Sequence, residues 1–132
     1  MVGKAIKKAC EKYGIKREEL WITTKIPPHK MDYENAKISI DDSLQALDCG
    51  YLDLILIHWP TSILAEPGDV NRAETYRAME EVVATGLVKS IGVSNFVSHH
   101  LISLLKTAKI IPAVNQIEIH PLYQEQEIIK IC

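Results

Sequence analysis

Four absences narrow what this sequence can encode. Charge of one sign is lacking: 15 Lys and Arg against 17 Asp and Glu leave a formal charge of −2. With the two signs interspersed, neither nucleic acid nor an anionic membrane surface is an expected partner. No apolar segment reaches the roughly 18 residues needed to cross a bilayer, and the opening Met1-Val2-Gly3-Lys4-Ala5 reads as charged and amphipathic rather than as a secretion signal. The expected compartment is the cytoplasm. Cys10, Cys49 and Cys132 are odd in number and have no C-x-x-C spacing, which argues for reduced thiols and against a disulfide framework or a zinc site. Nor is there a G-x-G-x-x-G turn, the signature expected of a doubly wound dinucleotide-binding sheet.

What is present describes one globular domain over residues 1–132, with 47% hydrophobic and 24% charged residues. Its centre is Leu52-Asp53-Leu54-Ile55-Leu56-Ile57, followed at once by His58-Trp59-Pro60. A continuous aliphatic run is the pattern of a parallel strand covered by helices. By the two-residue period Leu54, Leu56 and His58 share one face, with Ile55 and Ile57 on the other. An imidazole at the end of such a strand sits on a rim.

Around that strand, Val2, Ile6, Ala9, Cys10 and Tyr13 at helical spacing, with Gly14 behind them, predict a helix over 2–13. Bulky and β-branched residues predict strands over 20–26, 52–57, 87–93 and 112–119. Apolar periodicity predicts helices over 32–48, 73–84 and 99–109 and from 124 onward. Asp32 and Ser98 are the expected N-caps, and 61–71, with Pro67-Gly68-Asp69, reads as a surface loop longer than the usual βα connection. Four βα units behind an opening helix imply a parallel sheet. A TIM barrel gathers its working groups at the C-terminal ends of several strands, where Lys25, His58, Ser94, Asn95 and Gln116 all fall. The expected fold class is therefore α/β, a (β/α)8 TIM-barrel fragment holding half of the strands needed for closure.

Four stretches then carry a resemblance. Ile22-Thr23-Thr24-Lys25, Asp53 through Pro60, Gly86 through Phe96, and Val114-Asn115-Gln116-Ile117-Glu118-Ile119-His120-Pro121 resemble, in order and at matching spacings, the aldo-keto reductases. The resemblance implies a barrel that reduces aldehydes and ketones with NADP(H), of which this chain holds strands three to six and lacks the first two and the last two. It matches Lys25 to the ammonium that lowers the pKa of a proton-donating tyrosine, and His58 to the imidazole beside the carbonyl oxygen. Ser94, Asn95 and Gln116 match the side chains that hydrogen-bond the nicotinamide carboxamide, and Trp59 a wall of the substrate pocket. The family's tyrosine, its aspartate partner, the aromatic that stacks on the nicotinamide and the basic residues for the 2′-phosphate have no counterpart in these 132 residues. Weak cofactor binding and little activity are therefore expected of this chain. Two places after the lysine, where many relatives carry tryptophan, this sequence has Pro27.

Each of these groups has an ordinary reading as well: a solvated lysine, a packed histidine, a Ser-Asn turn, a buried amide, a core tryptophan. Their occurrence in four ordered stretches is what favours the chemical one. His99-His100 reads as helix surface. His58, Glu118 and His120 form the weaker metal-site reading, and no metal is expected. A different class of function is a non-catalytic half-barrel that covers its open sheet edges with a copy of itself or with another chain.

Overall fold

In the computed structural model, which describes residues 1–61 and 68–132, four parallel strands stand side by side in chain order. They are β1 (Thr23–Ile26), β2 (Leu52–Ile57), β3 (Val88–Ser94) and β4 (Asn115–Gln116). Helix α1 (Val2–Tyr13) precedes them, α2 (Tyr33–Leu47), α3 (Gly68–Ala84) and α4 (Ser98–Leu105) connect them, and α5 (Gln126–Ile131) follows. This is half of a (β/α)8 barrel.

Local chemistry sets most of the ends. Gly14 takes the left-handed conformation (φ 67°) that closes α1. Asp32 Oδ1 accepts the Asn35 N–H at 2.7 Å to open α2. Several boundaries depart from the periodicity: β1 begins at Thr23 rather than 20, and α4 ends at Leu105 rather than 109. α3 begins at Gly68 rather than Ala73, so the expected 61–71 loop is helical at its end, and its 62–67 portion lies outside the described residues. α4 starts at Ser98, with Val97 as its cap. Finally, β4 is short. Pairing with β3 runs from Ala113 N–H to Ile91 O (2.9 Å), through Val93 N–H to Val114 O (2.8 Å), to Asn95 N–H on Gln116 O (3.0 Å). Beyond Gln116 the chain leaves the sheet and closes a tight turn in which His120 and Tyr123 exchange main-chain hydrogen bonds.

The two faces of the sheet separate as the period of two requires. Ile26, Ile55, Ile57, Ile91 and Val93 belong to the core shared with Ala36, Ile40, Met79, Leu101 and Leu104 of the helices. Each of the larger of these side chains contributes about 1.5–3 kcal/mol by burial. On the opposite face Lys25, Leu56 and Gly92 lie in register across three strands. On α1, Val2 and Tyr13, at the ends of its apolar stripe, are exposed.

At the base of the sheet a carboxylate stands on the helix side of β2. Asp53 is 4% exposed, and its Oδ2 accepts the Ile22 N–H at 2.9 Å and Arg17 Nη2 at 2.8 Å. Arg17 also donates to the main-chain oxygens of Cys49, Leu20 and Tyr51 at 2.7–3.0 Å, and its guanidinium lies 3.9 Å from the Tyr51 ring centroid. Burial pushes the Asp53 carboxyl upward, but the Ile22 amide, the Arg17 hydrogen bond and charge, and the Lys89 charge more than reverse this, leaving it below its ordinary value. An aspartate held low stabilises the fold above about pH 4, and that stabilisation is lost as pH falls through the lowered value. Asp53→Asn is therefore expected to cost about 3 kcal/mol at pH 7. In urea unfolding followed by circular dichroism, the gap from the unsubstituted chain should narrow as pH is taken below 4. A gap independent of pH would refute the clamp.

Candidate functional site

The C-terminal ends of the strands bring together five of the six residues singled out in the sequence. Lys25, in β1, is aligned with Leu56 of β2. His58 follows β2 directly, its N–H donating to Ile26 O at 3.0 Å, and so stands one pleat beyond Leu56 on the face that carries Lys25. Strand spacing and rise put their Cα atoms about 8 Å apart. Ile57 is aligned with Val93 and Ser94 with Gln116, which sets His58 beside Ser94. His58, Ser94 and Gln116 form one row across three strands, with Lys25 a pleat below.

Hydrogen bonding fixes what each group in the row can still offer. Ser94, 3% exposed, donates its Oγ–H to Gln116 O at 2.8 Å. Asn95 adopts the left-handed region (φ 61°), which asparagine tolerates better than most residues. Its Nδ2 donates to His58 O at 2.9 Å and to Ser94 Oγ at 3.2 Å. Both groups have spent their hydrogens inward, leaving Ser94 Oγ and Asn95 Oδ1 as acceptors, while the exposed Gln116 keeps a donor and an acceptor. Lys25 and His58 are half-buried.

Trp59 lies off this row, on a groove it shares with Asn95. Half exposed, it tilts against the His58 ring at 6.2 Å and lines that groove, of about 250 Å³, with Phe96, Ile117, Tyr123 and Ile128. Glu118 and Glu125 border the same groove, and Glu125 accepts the Tyr123 hydroxyl. His120 Nε2 lies 3.2 Å from Glu118 Oε1, and among the described residues no three His, Cys, Asp or Glu gather around a common point.

Three contributors were not apparent from sequence. Arg72 of α3 donates to Pro60 O at 2.9 Å, holding the chain just past His58-Trp59. Asn115 reaches the main chain of Phe96. His100, expected on the helix surface, is instead packed edge-on against Phe96 (5.8 Å between centroids), and its Nδ1 accepts the Val97 N–H at 3.3 Å. The signal available for it was position: a hydrogen-bonding side chain three residues after a cap.

Residues 1–132 match the model of the aldo/keto reductase family. Glyoxal reductase of Bacillus subtilis is 43% identical over 119 residues, covering 90% of this chain and 41% of that protein. An aldo/keto reductase of Brucella melitensis superposes with a TM-score of 0.88 at 40% identity, covering 98% of this chain and 47% of the other. A Bombyx mori aldo-keto reductase in complex with NADP gives 0.86 at 35% identity, over 97% and 43%. The chain thus spans less than half the length of these relatives.

The packing of His100 has a consequence in solution. Burial above all, then the charges of His99 and Arg72, push its imidazole down to about 4. An unfolded chain takes up that proton below about pH 6.5, whereas the folded one resists until about 4, so stability should drain away on acidification across that window. His100→Gln keeps an acceptor for the Val97 N–H and does not titrate. Its urea midpoint is expected to fall less steeply between pH 6.5 and 4 than that of the unsubstituted chain. Parallel curves would show that His100 protonates normally.

Proposed function

The chain belongs to the aldo-keto reductase family, and on that premise we propose that its 132 residues, as barrel strands three to six, carry part of the hydride-transfer site of an NADP(H)-dependent reductase of aldehydes and ketones. The observation that carries the reading is the single row His58, Ser94, Gln116 with Lys25 beneath it. Reduction of a carbonyl builds negative charge on its oxygen, and catalysis requires fixed donors aimed at that charge. An imidazole at the end of β2 orients the oxygen and shares its proton transfer. The Lys25 ammonium supplies the positive field that makes a phenol a better acid.

The donor set also fits a carboxamide. Asn95 Oδ1 and the second lone pair of Ser94 Oγ can accept, which suits an amide NH2, and the Gln116 amide can donate to the amide oxygen. A nicotinamide held there would supply the hydride. The chain's own residues would settle which ring face is presented, and Trp59 would shape the apolar side of the substrate space. The name of the glyoxal reductase relative favours small aldehydes as the class to test first.

Grafting these residues in place of the matching stretch of that relative separates the site from the length of the chain. The chimera should oxidise NADPH with glyoxal, and Lys25→Met or His58→Ala should lower turnover by about 10²–10⁴-fold with its melting temperature retained. Turnover untouched by both substitutions would sink the assignment. Taken by itself, the 132-residue polypeptide is expected to show little hydride transfer; steady NADPH oxidation with an aromatic aldehyde would contradict that.

A second reading, self-association, is favoured by one observation. Large apolar side chains around and after β4 lie in the open: Ile111 is 77% and Leu122 95% exposed, and the exposed Ile111, Val114 and Ile131 line one groove. Isolated exposed apolar residues are ordinary, but a cluster of them beside an unpaired strand edge marks a contact surface. Sedimentation should show dimers at micromolar concentration. A strict monomer that melts cooperatively would exclude this reading.

A further inference from the structure

Face parity makes Asn115 an anomaly. It is aligned with Val93, whose side chain belongs to the helix-side core, so a polar amide occupies a layer otherwise built from aliphatic groups. A polar group in that position requires partners, and both are main-chain groups of a single residue. Asn115 Nδ2 donates to Phe96 O at 2.9 Å, and Asn115 Oδ1 accepts the Phe96 N–H at 3.4 Å. The side chain thereby extends the β3–β4 pairing beyond the last main-chain rung, Asn95 N–H to Gln116 O.

The residue between those two attachments is Asn95, held in the left-handed region. Gln116 O fixes its amide and Asn115 fixes the next peptide, and from the backbone so held the Asn95 side chain reaches His58 O and Ser94 Oγ. We propose that Asn115 is a positioning residue: by holding both main-chain groups of Phe96 it sets the turn that aims Ser94 Oγ and Asn95 Oδ1 at a bound nicotinamide carboxamide. The ligand in this inference rests on the nicotinamide reading above, while the geometry does not. A purely structural alternative exists, because Asn115 also borders a groove between α4 and the chain end with Leu101, Leu105 and Ile131.

The 132-residue chain, labelled with 15N, decides between them. Asn115→Leu is close in size and suits an aliphatic layer, and the buried Phe96 ring should keep the fold intact. The Phe96 amide is expected to exchange with solvent about tenfold faster, and the Asn95 side-chain amide signals to move toward solvent-exposed positions. Asn115→Asp retains the acceptor for the Phe96 N–H and should keep that amide protected while the Asn95 signals still shift; it decides the matter if the leucine variant does not fold. Reduced nicotinamide mononucleotide, titrated at millimolar concentration, should bind about tenfold more weakly to the leucine variant. Asn95 and Ser94 signals that stay in place while only those of Leu101 and Ile131 move would overturn the proposal. If the unsubstituted chain shows no response to the nucleotide, the ligand half falls together with the nicotinamide reading, and the exchange measurement still decides the geometry.

Discussion

The arrangement of this half-barrel depends on one carboxylate. Asp53 is fixed in both main-chain senses to Ile22: its own N–H donates to Ile22 O at 3.0 Å, and its Oδ2 accepts the Ile22 N–H. That double attachment, made just before β1 begins, sets the register Thr23↔Leu54 through Ile26↔Ile57. A slip of one residue in a strand turns every side chain to the other face. Lys25 would then enter the helix-side core and Ile26 would take its place beside His58. The charge that fixes the register is costly to bury. Arg17 offsets that cost, and because it also binds the oxygens of Leu20, Cys49 and Tyr51, it gathers the two loops that enter β1 and β2 around the same point.

From that base the order passes up the strands to a rim where polar side chains are spent mainly on main-chain groups. Ser94 bonds Gln116 O, Asn95 bonds His58 O, Asn115 bonds Phe96 and Arg72 bonds Pro60. The first three link neighbouring strand ends at or just beyond the last rungs of the ladder, and the fourth ties helix α3 to the end of β2. A site assembled this way is preorganised before any ligand arrives, which lowers the cost of ordering on binding. It also dictates polarity, since the hydrogens of Ser94 and of the Asn95 amide are committed and those two residues keep only acceptor capacity.

How much of this was legible in the sequence follows from the range of each interaction. β2, α1 and α2 could be read because their signals are local: an aliphatic run, a helical stripe with Gly14 behind it, Asp32 three residues before Asn35. Lys25, His58, Ser94, Asn95 and Gln116 could be placed at strand ends because strand period and end position are also local. Arg17 could not, since its partner lies 36 positions away and an arginine in a charged turn looks like surface. His100 is hidden in part for the same reason: its environment is set by Phe96 and by the distant Arg72, which helical spacing alone does not reveal. β4 shrank from 112–119 to Asn115–Gln116 because strand propensity in Ile117–Ile119 is realised only where a neighbour offers a ladder, and β4 is the outermost strand.

The least visible contributor is a missing side chain. A Cβ at Gly92 would lie 2.5 Å from Val114 O and 2.9 Å from Leu56 Cδ2, both closer than real atoms approach. Leu56 could turn aside, but Val114 O is bound, since it accepts the Val93 N–H. Displacing it would break the rung that leads directly into Asn115 and Gln116. Glycine is required here by the close approach of a neighbouring strand rather than by an unusual φ. The amide-binding end of the row therefore depends on a position that touches no ligand, two residues below Ser94 on the same face. Asp53 sets where β1 stands against β2, Gly92 allows β4 to approach β3, and between those two constraints the four strand ends have one arrangement left to adopt.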